Sequence, residues 1–147
     1  MENHNIDKIS KALLSAQIEI SGAEKNATNS FYQNHKYADL ESVTNACKSI
    51  LNKHKISFFQ GFDYVVESDV FFVITTLLHE SGQSISNRIG FPVVKKDAHG
   101  IGSLCTYGRR YGLSAIIGLT MLDDDDDGNK AVNPPNPKLT EDEGELF

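Results

Sequence analysis

Val70-Phe71-Phe72-Val73-Ile74-Thr75-Thr76-Leu77-Leu78 is the stretch on which the fold turns. It is almost continuously apolar, and it is rich in β-branched and aromatic residues, the signature of a strand. Glu67-Ser68-Asp69 before it and Ser81-Gly82-Gln83 after it have hairpin-turn composition. Upstream, Ile56 to Val66 is again aromatic and β-branched; downstream, Ser84 to Val94 reads as a weaker third strand. Three strands joined by short turns make an antiparallel meander. The unbroken apolar run implies a middle strand covered on both faces, by helix on one side and by a partner on the other.

Helical periods flank the meander. Ile6, Ile9, Leu13, Ala16 and Ile20 share one face of a first helix, and Ser21 to Ser30 reads as a loop. Asp39 can cap a second helix, with Glu41 in its first turn and Leu40, Val43, Cys47, Ile50 and Leu51 on its apolar face. A third helix is expected over 101–119, where Gly108, Gly112 and Ala115 leave a shallow strip for close packing. Each interior glycine costs a helix about 1 kcal/mol against alanine, so close approach to a sheet or another helix is the compensation. The expected class is α+β: a three-stranded antiparallel β-meander packed against helices. Residues 1–128 read as one domain and 129–147 as a flexible, proline-containing linker and acidic tail, expected to be disordered.

Within the third helix, Thr106-Tyr107-Gly108-Arg109-Arg110-Tyr111 sets two adjacent arginines between two tyrosines. Guanidinium groups neutralise phosphate and stack; tyrosine offers a π-face to a base. Five consecutive carboxylates, Asp123 to Asp127, follow closely. The formal net charge of −6 hides this organisation. Residues 123–147 hold nine acidic and two basic side chains, so the first 122 residues stand at +1. A neutral body can still carry a local basic groove. Cys47 and Cys105 have no metal-ligand or redox spacing and fit reduced thiols. The polar start of the chain and the absence of a long apolar run predict a soluble, cytoplasmic protein with no membrane partner.

In order along the chain, Tyr37-Ala38-Asp39-Leu40 with Val43, Thr75-Thr76-Leu77-Leu78-His79 with Ser81-Gly82, Gly102-Ser103 with Thr106 to Tyr111 and Leu113, and the acidic run ending in Asp127-Gly128 carry a resemblance. From about Tyr37 to Gly128 the chain resembles the ERF (essential recombination function) family of phage-type single-strand annealing proteins. Gln83 stands where an acidic residue is usual, Ser84 where tryptophan is common, His99 where glutamine usually opens the signature, and Gly108 in place of the more usual alanine. The resemblance implies a β-β-β-α core, binding of single-stranded DNA, annealing of complementary strands without nucleotide hydrolysis, and rings or helical filaments of many subunits. It implies action in the bacterial host cell, with single-stranded DNA and further copies of the chain as partners. A phage exonuclease or a host single-strand-binding or repair protein would meet the acidic end, whose Leu146-Phe147 resembles the tips of bacterial single-strand-binding proteins. A purely solubilising tail is the simpler reading of that segment.

Phosphate contacts suit an annealing protein because they carry no sequence information and leave bases readable. Arg109 and Arg110 are the first candidates, then Lys95 and Lys96, then Arg88 and the pair Lys53 and Lys55. The competing role for one of the two arginines is a structural ion pair with Asp123 to Asp127. Adjacent helical positions point about 100° apart, so the two cannot act alike. Tyr107 and Tyr111 are candidates for base stacking; packing against the sheet is the plainer role, above all for Tyr111. Phe58, Phe59, Phe62, Phe71 and Phe72 read as core or subunit interface rather than as a base platform.

Enzymatic chemistry is not expected, and no cofactor is called for. Asp123-x-Asp125-x-Asp127-Gly128 imitates half of a calcium loop, but Pro134 occupies the place of the bidentate glutamate. The five histidines lack metal-ligand spacing, and phosphate-binding-loop and dinucleotide fingerprints are missing. Two other readings stand beside annealing. One is a binding protein that protects single strands without annealing them; the other is a divalent-metal nuclease built on the Asp123 to Asp127 run.

Overall fold

The computed structural model describes residues 5–26 and 39–119. Tyr37 and Ala38 of the first motif, the Asp123 to Asp127 run and the tail 129–147 lie outside the described residues. Two helices come first, α1 (Asp7–Asn26) and α2 (Leu40–Lys53), then strands β1 (Ile56–Val65), β2 (Val70–His79) and β3 (Ser84–Pro92), then helix α3 (Ala98–Ile117). The strands form one antiparallel sheet in the order β1-β2-β3, the expected meander on an α+β chain.

Two tight turns set the register. Asp69 (φ 53°) closes the first and Gly82 (φ 85°) the second, both in the left-handed region that turn geometry demands. Val65 therefore pairs with Val70, and Leu78 with Ser84. Side chains of a strand alternate between faces. Phe71, Val73, Thr75 and Leu77 of β2 are buried on the face that receives the helices, while Phe72, Ile74 and Thr76 on the other face stay half-buried and Leu78 is exposed. The described helices cover one face of the sheet only. The expected helix cover is there; the opposite face meets no other described element.

The core lies at one end of the sheet, where Ile9, Ala16 and Ile20 of α1, Val43, Cys47 and Leu51 of α2, Ile56 and Leu77 of the sheet, and Leu113 and Ile117 of α3 meet. Burying one such side chain contributes about 1.5–3 kcal/mol, so this three-helix junction dominates stability. A second cluster, Phe71, Val73 and Val93 with Ile101, Leu104 and Cys105, seats the start of α3 at the other end.

The helix boundaries differ from expectation in two places. Helix α1 runs on to Asn26, through the first six residues of the expected loop, and 27–30 lie outside the described residues. Helix α3 starts at Ala98, three residues before its apolar period begins, because the Asp97 carboxylate accepts the Gly100 N–H at 2.7 Å. It ends at Gly118 (φ 72°), where Leu119 N–H reaches back to Ser114 O at 2.9 Å, a Schellman stop. Gln83 finds a role that the turn's departure from family usage obscures. Its Oε1 accepts the Lys8 and Ile9 backbone N–H groups at 2.9 and 3.0 Å, capping α1 from the β2–β3 turn. Its Nε2 donates to Asp7 Oδ1, which holds that carboxyl below its ordinary range.

Candidate nucleic-acid interface

Helix α3 lies on the sheet with almost no spacing, and two of the three expected small residues make this possible. A Cβ at Gly108 would overlap the side chain of Val73, and one at Gly112 would overlap Thr75 Oγ1. Ala115 is exposed and takes no part in the strip. Beneath Gly112 a polar rung crosses all three strands, since Gln60, Thr75 and Asn87 are register partners. Gln60 Nε2 donates to Thr75 Oγ1 at 2.8 Å and to the Arg109 carbonyl at 2.9 Å. Asn87 Nδ2 donates to the Gly112 carbonyl at 2.9 Å. Two carbonyls one turn apart on α3 are thus pinned to the sheet, and the helix can neither slide nor roll without breaking these hydrogen bonds.

This seat sends the two arginines to opposite sides. Arg109 leans toward β1, is exposed, and sets its Nε 3.4 Å from Gln60 Oε1; among the described residues no carboxylate pairs with it. Arg110 turns to the α2 side and is only 8% exposed. Its guanidinium lies 4.7 Å from the centre of the Tyr107 ring and 5.0 Å from that of Tyr111. The two rings sit 5.2 Å apart, as i, i+4 neighbours should. Tyr111 is half-buried against the main core, and burial pushes its hydroxyl pKa up; Tyr107 is half exposed. Tyr107 and Arg110, with Asp39 and Leu40 of α2 and His99, Ser103 and Thr106 of α3, line a hollow of about 620 Å³.

A family model of the ERF superfamily matches residues 9–144, from the first turn of α1 almost to the end of the chain. The chain belongs to the ERF superfamily. It therefore stands, at family level, among phage-type recombination proteins concerned with single-strand annealing. The match is wider than the four motifs between Tyr37 and Gly128. No curated protein and no solved structure matches the chain.

In this ERF chain the remaining candidate cations are spread over the body. Lys96 stands at the β1–β2 turn, 2.8 Å from Asp69 Oδ1, and Lys95 is exposed beside it. The Asp69 carboxyl is held below its ordinary range, first by Lys96 and then by the Tyr64 hydroxyl. Arg88 lies on the sheet face away from α3; its guanidinium stacks 3.5 Å over Phe72 and pairs with Asp63 at 2.8 Å. A Cβ on the neighbouring Gly90 would come within 2.7 Å of the Phe72 ring. Lys53 and Lys55 occupy the far end of the sheet, where Lys53 pairs with Glu19 at 2.9 Å. Lys55 (φ 62°) makes the left-handed step from α2 into β1. Arg109 and Lys96 thus flank the α3-facing side of β1, while Arg88, Arg110, Lys53 and Lys55 sit elsewhere.

The strand reading assigned no role to Gln60 or Asn87, although each is a polar residue at an inward-facing strand position. That is the signal by which they could be found. Phe62, read as core or subunit interface, and Tyr64, read only as part of the first strand, are 49% and 40% exposed on the α3-facing side of β1. Among the described residues no cluster of three or more His, Cys, Asp and Glu could hold a metal ion, and no helix is long and apolar enough to cross a membrane.

Proposed function

We propose that this ERF chain binds single-stranded DNA alongside α3 and promotes annealing of complementary strands without nucleotide hydrolysis, assembled as a multi-subunit ring or filament. The carrying observation is Arg109: an exposed guanidinium with no carboxylate partner among the described residues, on a helix pinned to the sheet at Arg109 O and Gly112 O. A fixed cation neutralises phosphate at little entropic cost, because its backbone is already ordered. Two polyanionic strands approach more closely once one of them is neutralised. Contacts of this kind read no bases, so the bound strand remains open to pairing. Nothing in this task requires bond-making chemistry, and we assign the chain no catalytic residue and no cofactor.

Arg109→Ala is the cleanest variant, because Arg110 is buried and its loss would disturb the fold. Loss of one phosphate contact weakens single-strand binding and flattens the slope of log K against log salt by about 0.7. The annealing rate of complementary oligonucleotides without ATP falls with it. A folded Arg109→Ala protein with the same salt slope and annealing rate as the parent would rule out the assignment. Binding without any annealing by the parent would favour a purely protective protein.

A further inference from the structure

We propose that Phe62 and Tyr64 form a base-stacking platform for single-stranded DNA on the α3-facing side of β1, between Arg109 at one end and Lys96 at the other. This rests on the single-strand-binding reading above and names where the bases go. Helix α3 packs on β2 and β3, and beyond Gln60 the inward side of β1 stays accessible. Two aromatic side chains that alternation points toward the core stand 49% and 40% exposed there. Both are braced. Phe62 stacks on buried Phe71, ring centres 5.5 Å apart and 30° from parallel, and keeps about half its surface accessible. The Tyr64 hydroxyl donates to Asp69, which also holds Lys96, so ring and cation are tethered to one carboxylate.

Spacing and charge select the occupant. Alternate strand residues are about 6.7 Å apart, roughly twice the ~3.4 Å step of a strand in duplex DNA. Two rings at that interval suit neighbouring bases of a backbone drawn out to about double its duplex rise. Arg109 beside Gln60, and Lys96 with Lys95 at the turn, put cations at both ends of the platform. The other open face of the sheet is a poorer host, because the Arg88 guanidinium already covers the Phe72 ring there.

The chain contains no tryptophan, so Phe62→Trp creates a single reporter. Titration with oligo(dT) should quench its emission as a base stacks on the indole, in step with the anisotropy of a labelled strand. Phe59→Trp, 57% exposed on the opposite face, should keep its emission. Phe62→Leu retains an apolar contact with Phe71 but lacks a π-face. It should bind oligo(dT) about 5- to 150-fold more weakly, the worth of one base stack. It should bind an abasic strand of equal length as the parent does, with an unchanged salt slope. The platform is refuted if oligo(dT) binds while the indole emission of the Phe62→Trp protein stays constant, or if Phe62→Leu binds it as tightly as the parent. If the parent itself binds no oligonucleotide, the broader single-strand reading fails and the platform falls with it. Parent binding with an intact Arg109 salt effect but no Phe62 effect removes the platform alone.

Discussion

Replacing a helical glycine by alanine ordinarily stabilises a helix by about 0.8–1 kcal/mol, and α3 offers two sites where the outcome should have opposite signs. At Gly102 a Cβ would meet nothing within 4 Å. Gly102→Ala should therefore gain most of the propensity term, close to 1 kcal/mol. At Gly108 the same methyl would overlap the Cγ2 of Val73 and come within 3.0 Å of Phe91 Cε2. Val73 is fully buried in the central strand, and its β-branched side chain has little rotamer freedom with which to yield. Forcing a methyl into such a wall costs about 1–3 kcal/mol. After subtraction of the propensity gain, Gly108→Ala should destabilise by about 1 kcal/mol, so the two variants differ by about 2 kcal/mol. Urea unfolding at one fixed protein concentration reads this directly, since self-association shifts apparent stability by mass action. On heating, the separation should be roughly 8 °C, at about 4 °C per kcal/mol for a domain of this size. Because α3 would be lifted from the Gln60–Thr75–Asn87 rung, Gly108→Ala should also lose single-strand affinity, while Gly102→Ala should not. If both variants are stabilised, or both bind alike, the helix is not seated on its glycines and Arg109 is not held as described.

Four further outcomes follow from particular contacts. Gln60→Leu strips a donor from the fully buried Thr75 hydroxyl and from the Arg109 carbonyl, so it should cost about 1–3 kcal/mol in urea unfolding and weaken single-strand binding. Gln83→Ala uncaps α1 and should cost about 1 kcal/mol; Gln83→Glu keeps the acceptor but sets it against Asp7, and adding Asp7→Asn should recover the loss. The Glu19 carboxyl is held below its ordinary value of 4.5 by Lys53 first and His54 second. A depressed carboxyl pKa stabilises the fold above the unfolded value, and that support disappears as pH falls through the folded one. The urea midpoint of the parent should thus drop more steeply below pH 4.5 than that of Glu19→Gln. Burial pushes the Cys47 thiol up to about 11, whereas Cys105 is only half-buried, so iodoacetamide at neutral pH should label Cys105 first in a mass-spectrometric time course.

The meander was readable because its signals are local. Turn residues bound each strand, and alternation or continuity of apolar residues marks each face. Helix α2 was readable for the same reason, with Asp39 accepting the Ser42 N–H at 2.7 Å as a cap should. The end of α1 was not, since residues 21–26 lie past the last member of its apolar stripe and carry no period. The start of α3 was missed likewise, because its first turn is held by Asp97 rather than by burial. The division of labour between Arg109 and Arg110 follows in kind from their 100° offset, but which one turns outward depends on where α2 and β1 lie. Gln60, Thr75 and Asn87 are scattered over 28 positions and meet only through strand register. No local pattern reveals such a rung, although a polar residue at an inward strand position invites a search for one.

Stacking on Phe62 and Tyr64 bears on a difficulty that any annealing protein faces. Phosphate contacts alone leave bases free to swing and restack, whereas contacts to base edges would block the sampling of a partner. A ring contact occupies the face of a base and leaves its hydrogen-bonding edge untouched, so firm holding and readable bases are compatible when the protein supplies π-faces rather than polar side chains. The platform's position matters for the same reason. β1 is an edge strand, paired with β2 on one side and with no described strand on the other. A second strand would therefore approach across the sheet edge, where it meets no wall. Arg88, stacked on the opposite face and already paired with Asp63, could not serve this geometry, because a base there would have to displace a guanidinium before it could stack. On these grounds Arg88→Ala should leave annealing nearly unchanged while Arg109→Ala reduces it, and an equal loss in both would place the strand on the wrong face of the sheet.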